Sequence, residues 1–197
     1  MGSATPKWWQ TRLNASRKTG SQYDVTCTWT GEQRAHDTGL IASTLKGLLT
    51  SPRRVVDFGA GRGRFAAPIT QDWGCEYLGV DILPDLIKEM ADRGLRAFLY
   101  AGAPLPEEID GDTAIYCLVL QHLADSDAVR ALRATRARQI AIVHGAWHSD
   151  GYTTCRDHQQ LADLVKQAGT WDSFGFHTLQ APLAKYKILV ARRADAS

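Results

Sequence analysis

The chain is expected to fold as an α/β domain built on a mostly parallel sheet. Three observations carry this expectation. Downstream of residue 53, short apolar runs alternate with helix-like stretches. Those runs are continuous rather than alternating, the pattern of strands buried on both faces. The run Val55-Val56-Asp57-Phe58-Gly59-Ala60-Gly61-Arg62-Gly63-Arg64-Phe65 reads as a strand that ends in an acid, then a glycine-rich turn, then a helix start.

The elements follow in order. Residues 1–31 hold Trp8, Trp9, Tyr23 and Trp29 among polar residues and glycines, and form an arm or lid. The aromatics either anchor this arm by burial or close over a substrate. A helix over Glu32 to Leu49, apolar on one face, opens the main domain, residues 32–197. Strands are expected near 53–58, 75–80, 95–100, 113–119 and 139–144. Helices lie between them at Pro84 to Arg93 and Asp127 to Arg136. A late helix over 156–168 leads to two further strands, Trp171 to Leu179 and Lys185 to Arg193.

The glycine turn narrows the chemistry. Glycines at alternate positions let a ligand lie against bare main chain, and the following helix start presents free N–H groups. A dinucleotide site needs G-x-G-x-x-G. Here the spacing is Gly59-x-Gly61-x-Gly63, one residue short, and Asp57 would be a poor neighbour for pyrophosphate. An acid there suits a cationic ligand such as the amino group or sulfonium of S-adenosylmethionine (SAM).

Asp57-x-Gly59-x-Gly61-x-Gly63 resembles the first motif of the class I SAM-dependent methyltransferases. Tyr77-Leu78-Gly79-Val80-Asp81 resembles that family's second strand, and Asp112 to Leu123 its fourth strand with a histidine in the continuation. The resemblance covers roughly residues 53–193. It implies a Rossmann-like seven-stranded sheet closed by a C-terminal antiparallel hairpin, with SAM as cofactor and S-adenosylhomocysteine as product. Asp57, Gly59, Ala60, Gly61 and Gly63 would then lie under the methionine part of SAM. Asp81 would accept from both ribose hydroxyls, its two oxygens matching the vicinal pair. Ile82 would lie against adenine, with Cys117 and Leu118 at the methionine end. Many relatives carry an acid after the third strand to meet the adenine amino group. Here the stretch is Tyr100-Ala101-Gly102-Ala103-Pro104, and backbone groups at Gly102 or Ala103 are expected to substitute.

Methyl transfer is an in-line displacement that relies on positioning, so catalytic side chains are few. Ligands of open α/β sheets bind at the carboxyl ends of strands. His144 follows the run Ile140 to Val143 and His122 follows the fourth strand, which makes them candidate general bases. Tyr23, Trp29, His36 and His148 are candidate acceptor-site residues.

Composition limits the alternatives. Net charge is +2 over 197 residues, so nothing drives the whole chain toward nucleic acid or an acidic membrane. No apolar run approaches the roughly 20 residues that span a bilayer. Four isolated cysteines, with no C-x-x-C pair, fit reduced thiols in a cytoplasm and offer no zinc site. Arg130, Arg133 and Arg136 share a helix face, either a phosphate stripe or a solvated surface. Basic residues around Trp8 and Trp9 are the feature that suits single-stranded nucleic acid. The leading reading is O- or N-methylation of a small molecule. The alternatives are a methyltransferase acting on RNA or another macromolecule, and a catalytically silent SAM-binding subunit. The Asp/Asn-Pro-Pro-aromatic run and the Pro-Cys nucleophile of nucleic-acid methyltransferases are both absent.

Overall fold

A computed structural model describes residues 5–18, 31–145, 154–182 and 184–194. Its centre is a seven-stranded sheet of order β3-β2-β1-β4-β5-β7-β6. The strands are β1 (Arg54–Phe58), β2 (Glu76–Asp81), β3 (Ala97–Leu99), β4 (Thr113–Cys117), β5 (Gln139–Gly145), β6 (Ser173–Gln180) and β7 (Lys185–Arg192). The first five pair in parallel, and β7 runs antiparallel to both β5 and β6. This is the Rossmann-like sheet with a closing hairpin that the family resemblance implies.

Five α-helices flank it: α1 (Pro6–Lys18), α2 (Gly31–Leu48), α3 (Pro84–Asp92), α4 (Asp125–Arg133) and α5 (His158–Ala168). The strand expected at 95–100 shrinks to three residues. The helix expected over 127–136 starts and ends earlier, as α4. A short π-helical turn, Pro68–Asp72, follows the glycine loop. Among the described residues no helix is long and apolar enough to cross a membrane.

Each face of the sheet carries its own core. On one face Val56, Phe58, Ala114, Tyr116, Ile140 and Ile142 pack against α4 and α5. On the other, Val55, Ile115, Ala141 and Val143 pack against Ile41, Ala42 and Leu45 of α2. The split follows strand alternation, successive residues pointing to opposite faces. Each fully buried leucine or isoleucine here contributes about 1.5–3 kcal/mol. Helix α5 starts sharply because Asp157 and Gln160 form a reciprocal capping box, each side chain accepting the other's backbone N–H at 2.8 Å.

Helix α1 lies within the stretch read as an arm. Thr5 caps it, its hydroxyl accepting from Trp8 N at 3.3 Å, and Pro6 occupies the first turn. Its one buried apolar side chain, Leu13, packs with Trp9 against Ile82, Leu83 and Leu86. Arg17 pairs with Asp85 at 2.9 Å and with Glu89 at 2.7 Å, both on α3. Arg62 of the glycine loop reaches Glu89 at 2.8 Å and Ser16 Oγ at 3.3 Å. Helix α1 is therefore pinned to the helix behind β2 and to the glycine turn itself.

Candidate active site

The glycine turn is built by backbone that only glycine adopts without strain. Gly59 and Gly61 have φ of 68° and 58°, in the left-handed region. A Cβ on Gly59 would meet Val119 Cγ2 at 1.9 Å, so this glycine is needed for close packing against the end of β4. A Cβ on Gly61 would meet nothing within 4 Å, because it would project into open space over the turn. Gly61 is also one of the residues that line the cavity described below. Gly63 serves the rear of the loop, facing Leu95 and Met90. Gly59 N and Ala60 N both donate to Val80 O, at 2.8 and 3.1 Å, and tie the turn to β2.

Asp81 ends β2 beside that turn. Its Oδ2 accepts from Gly61 N at 2.9 Å and its Oδ1 from Leu83 N at 3.1 Å. Burial pushes its carboxyl up to about 6, and the backbone N–H groups oppose this. Gly59, Gly61, Asp81 and Ile82 share one cavity of about 490 Å³ with the ends of the neighbouring strands. That volume lies in the range of small-molecule sites. Tyr100 and Gly102 after β3 line it, as do Cys117 and Leu118 at the end of β4, and His122 beyond them. All these positions lie at carboxyl ends of parallel strands, where the topology leaves a crevice.

The remaining expected residues fall into three groups. Asp57 lies beneath the cavity floor, 1% exposed, and accepts from Tyr77 Oη at 3.0 Å. Burial raises its carboxyl to about 7. Gly63 and Ala103 are not in the wall either. His36 is exposed on α2 and also lies off the wall. Tyr23, Trp29 and His148 lie outside the described residues.

His144 requires correction. It is 1% exposed, its Nδ1 lies 2.8 Å from Gly145 O, and it does not line the cavity. Burial holds its ring well down, at about 4. Strand alternation puts it on the face of Ile140 and Ile142, with Thr154, Arg156 and Lys187 nearby. Standing at a strand end does not by itself aim a side chain at the ligand. His122 does reach the cavity wall. Its ring lies 5.0 Å from the Trp9 ring, edge to face, and Trp9 lines the same cavity. Arg156, 3% exposed, fixes the turn behind His122 by donating to Leu120 O at 2.7 Å and to Leu123 O at 2.8 Å.

Folding adds residues that the sequence reading did not single out. Arg34 of α2, 2% exposed, and Arg64 after the glycines both reach the cavity. Arg64 Nη2 lies 3.1 Å from Cys117 Sγ. Burial pushes the Cys117 thiol up to about 11, which favours the protonated form near neutral pH. Behind Arg34, Asp37 is fully buried and accepts from Tyr186 Oη. Asp127, on the first turn of α4, lines the cavity beyond Tyr100, and so does Arg130 of the arginine stripe already noted in the sequence. The only local signal for Arg34 was a charge inside the stripe that continues to Ile41 and Leu45.

No protein-family model matches the chain, and no curated protein matches it in sequence. Its fold is similar to those of solved methyltransferases. Magnesium protoporphyrin IX methyltransferase from Synechocystis PCC 6803, with bound S-adenosylhomocysteine, superposes with a TM-score of 0.67 at 16% identity, over 93% of this chain and 94% of that one. The methyltransferase domain of a bacterial Hen1 gives 0.66 at 15% identity, over 82% of this chain and 98% of that one. Human N-acetylserotonin methyltransferase with SAM gives 0.61 at 18% identity, over 96% of this chain and 56% of that one. The chain therefore has the class I SAM methyltransferase fold.

Proposed function

We propose that the protein is a SAM-dependent methyltransferase that acts on a small-molecule acceptor by O- or N-methylation. One observation carries the reading. The bare main chain at Gly61 and the carboxylate of Asp81 face a single cavity at the strand ends. These residues fit the cofactor, since a hydrogen-bond-accepting carboxylate at Asp81 and apolar Ile82 and Leu118 line the same cavity as the bare main chain of Gly61. When bound, SAM supplies a methyl group activated by its sulfonium.

The chain's own residues do the rest. Asp81 accepts from the ribose hydroxyls, and Ile82 and Leu118 cover apolar surface. Arg34 and Arg64 place positive charge where the methionine carboxylate would lie. Asp57 supports the floor through Tyr77 rather than touching the ligand. His122 is the side chain of the cavity wall suited to hold or accept the acceptor's proton. Trp9 on α1 covers the same space and excludes water. A wall contributed by a docked lid favours a small acceptor over a polymer.

The test has two stages. Titration calorimetry should show binding of S-adenosylhomocysteine and none of NAD. Incubation with methyl-labelled SAM and either a small-molecule extract or total RNA should then place label in the small-molecule fraction. Label in RNA would overturn the acceptor reading but leave the cofactor reading intact.

A further inference from the structure

The adenine amino group has no acid waiting for it after β3. The stretch Tyr100-Ala101-Gly102-Ala103-Pro104 offers no carboxylate, and Ala103 does not reach the cavity. Among the described residues that line the cavity, two are acids, Asp81 and Asp127. Asp81 already accepts from Gly61 N and Leu83 N and lies at the ribose end of the expected ligand. Asp127 stands elsewhere, on the first turn of α4, with a side chain 37% exposed. Its surroundings suit a purine. Tyr100, Leu123 and Ala131 line the cavity with it. Tyr100 Oη donates to Arg130 O at 3.4 Å, so the end of β3 and the first turns of α4 are in contact.

We infer that Asp127 reads the 6-amino edge of adenine, standing in from α4 for the acid missing after β3. The inference rests on the cofactor reading above and names a residue within it. An ionised carboxylate only accepts hydrogen bonds. It matches the N–H donors of a 6-amino purine and repels a 6-oxo purine, which offers an acceptor at that position. Asp127 also meets Arg130, at 3.3 Å, and ion pairs between exposed partners of this kind are weak.

The experiment is titration calorimetry of the full chain with S-adenosylhomocysteine and with S-inosylhomocysteine, its 6-oxo analogue. The parent should prefer the adenosyl ligand by roughly tenfold to a hundredfold, the worth of one hydrogen bond to a charged group. Asp127→Ala should weaken the adenosyl ligand by a comparable factor and bring the preference near one. Asp127→Asn should also lose the preference, because its amide can donate to the 6-oxo group. Asp81→Ala should weaken both ligands alike and keep the preference. Thermal midpoints close to the parent's would show that the Asp127 variants are folded. Asp127→Ala with the parent's affinity and preference would overturn the assignment and return adenine recognition to the backbone at Gly102. A folded parent that binds neither ligand would overturn the cofactor reading, and this assignment with it.

Discussion

Gly59 and Gly61 sit two residues apart and should fail differently when substituted. In Gly59→Ala the new Cβ meets Val119 at 1.9 Å in a left-handed backbone, so folding itself suffers. In Gly61→Ala the Cβ meets nothing, and only the backbone conformation resists, at about 1–2 kcal/mol. Gly61→Ala should therefore stay folded with a midpoint lowered by a few degrees, yet lose most affinity for S-adenosylhomocysteine. Calorimetry beside thermal unfolding separates the two. Asp81 gives a pH signature. Its carboxyl titrates at about 6 in the fold, against about 4 in an unfolded chain. The raised value means the ligand-free fold holds a proton that the unfolded chain has lost, so this group's stability contribution falls as pH rises through that window. Accepting from two hydroxyls needs the ionised form. Affinity for S-adenosylhomocysteine should thus fall as pH drops below about 6, and Asp81→Asn should flatten that slope. His122→Ala should keep cofactor affinity and lower turnover by roughly a hundredfold to ten-thousandfold. The acid and glycines of the turn were legible because their spacing is itself the geometry. Arg34 and Asp127 were not, because only the packing of α2 and α4 brings them to the cavity. His144 was misread because periodicity placed it at a strand end without showing that the cavity reaches that strand, and none of the lining residues comes from β5.

At the level of elements, the strands were readable since continuous apolar runs have one favourable fate, burial on both faces. Helix α1 was not. It buries Leu13 and Ser16, leaves Trp8 and Trp9 half-buried, and is otherwise mostly polar, so too few apolar residues recur to announce it as a stripe. Docking, more than its own pattern, holds it: one leucine against Leu83 and Leu86, and Arg17 between Asp85 and Glu89. Exposed ion pairs of this kind are weak and are screened by salt. Deleting residues 1–22 should leave the sheet and its two cores folded, as far-ultraviolet circular dichroism would show, while weakening cofactor binding and turnover. Arg17→Ala should give a milder version. A truncated protein with the full chain's affinity and turnover would show that α1 is no lid.

For the whole molecule, the ligand should act as a brace. The cavity draws on β1, β2, β4, α1, α2 and α4 at once, so whatever fills it ties separate parts of the chain together. S-adenosylhomocysteine at a hundred times its dissociation constant should add about 2.7 kcal/mol to the folded state. For a chain of this length that raises the thermal midpoint by roughly 5–10 °C. NAD at the same concentration should leave it unmoved. The order of the sheet also bears on synthesis. β7 follows β6 in the chain yet lies inside the sheet, between β5 and β6. A growing chain that has delivered β6 has nowhere to pair it, and β5 meanwhile shows an open edge. The sheet closes only when residues 185–192 arrive. A message cut short before them forfeits two strands rather than one, and leaves the ribosome with a sticky fragment suited to degradation.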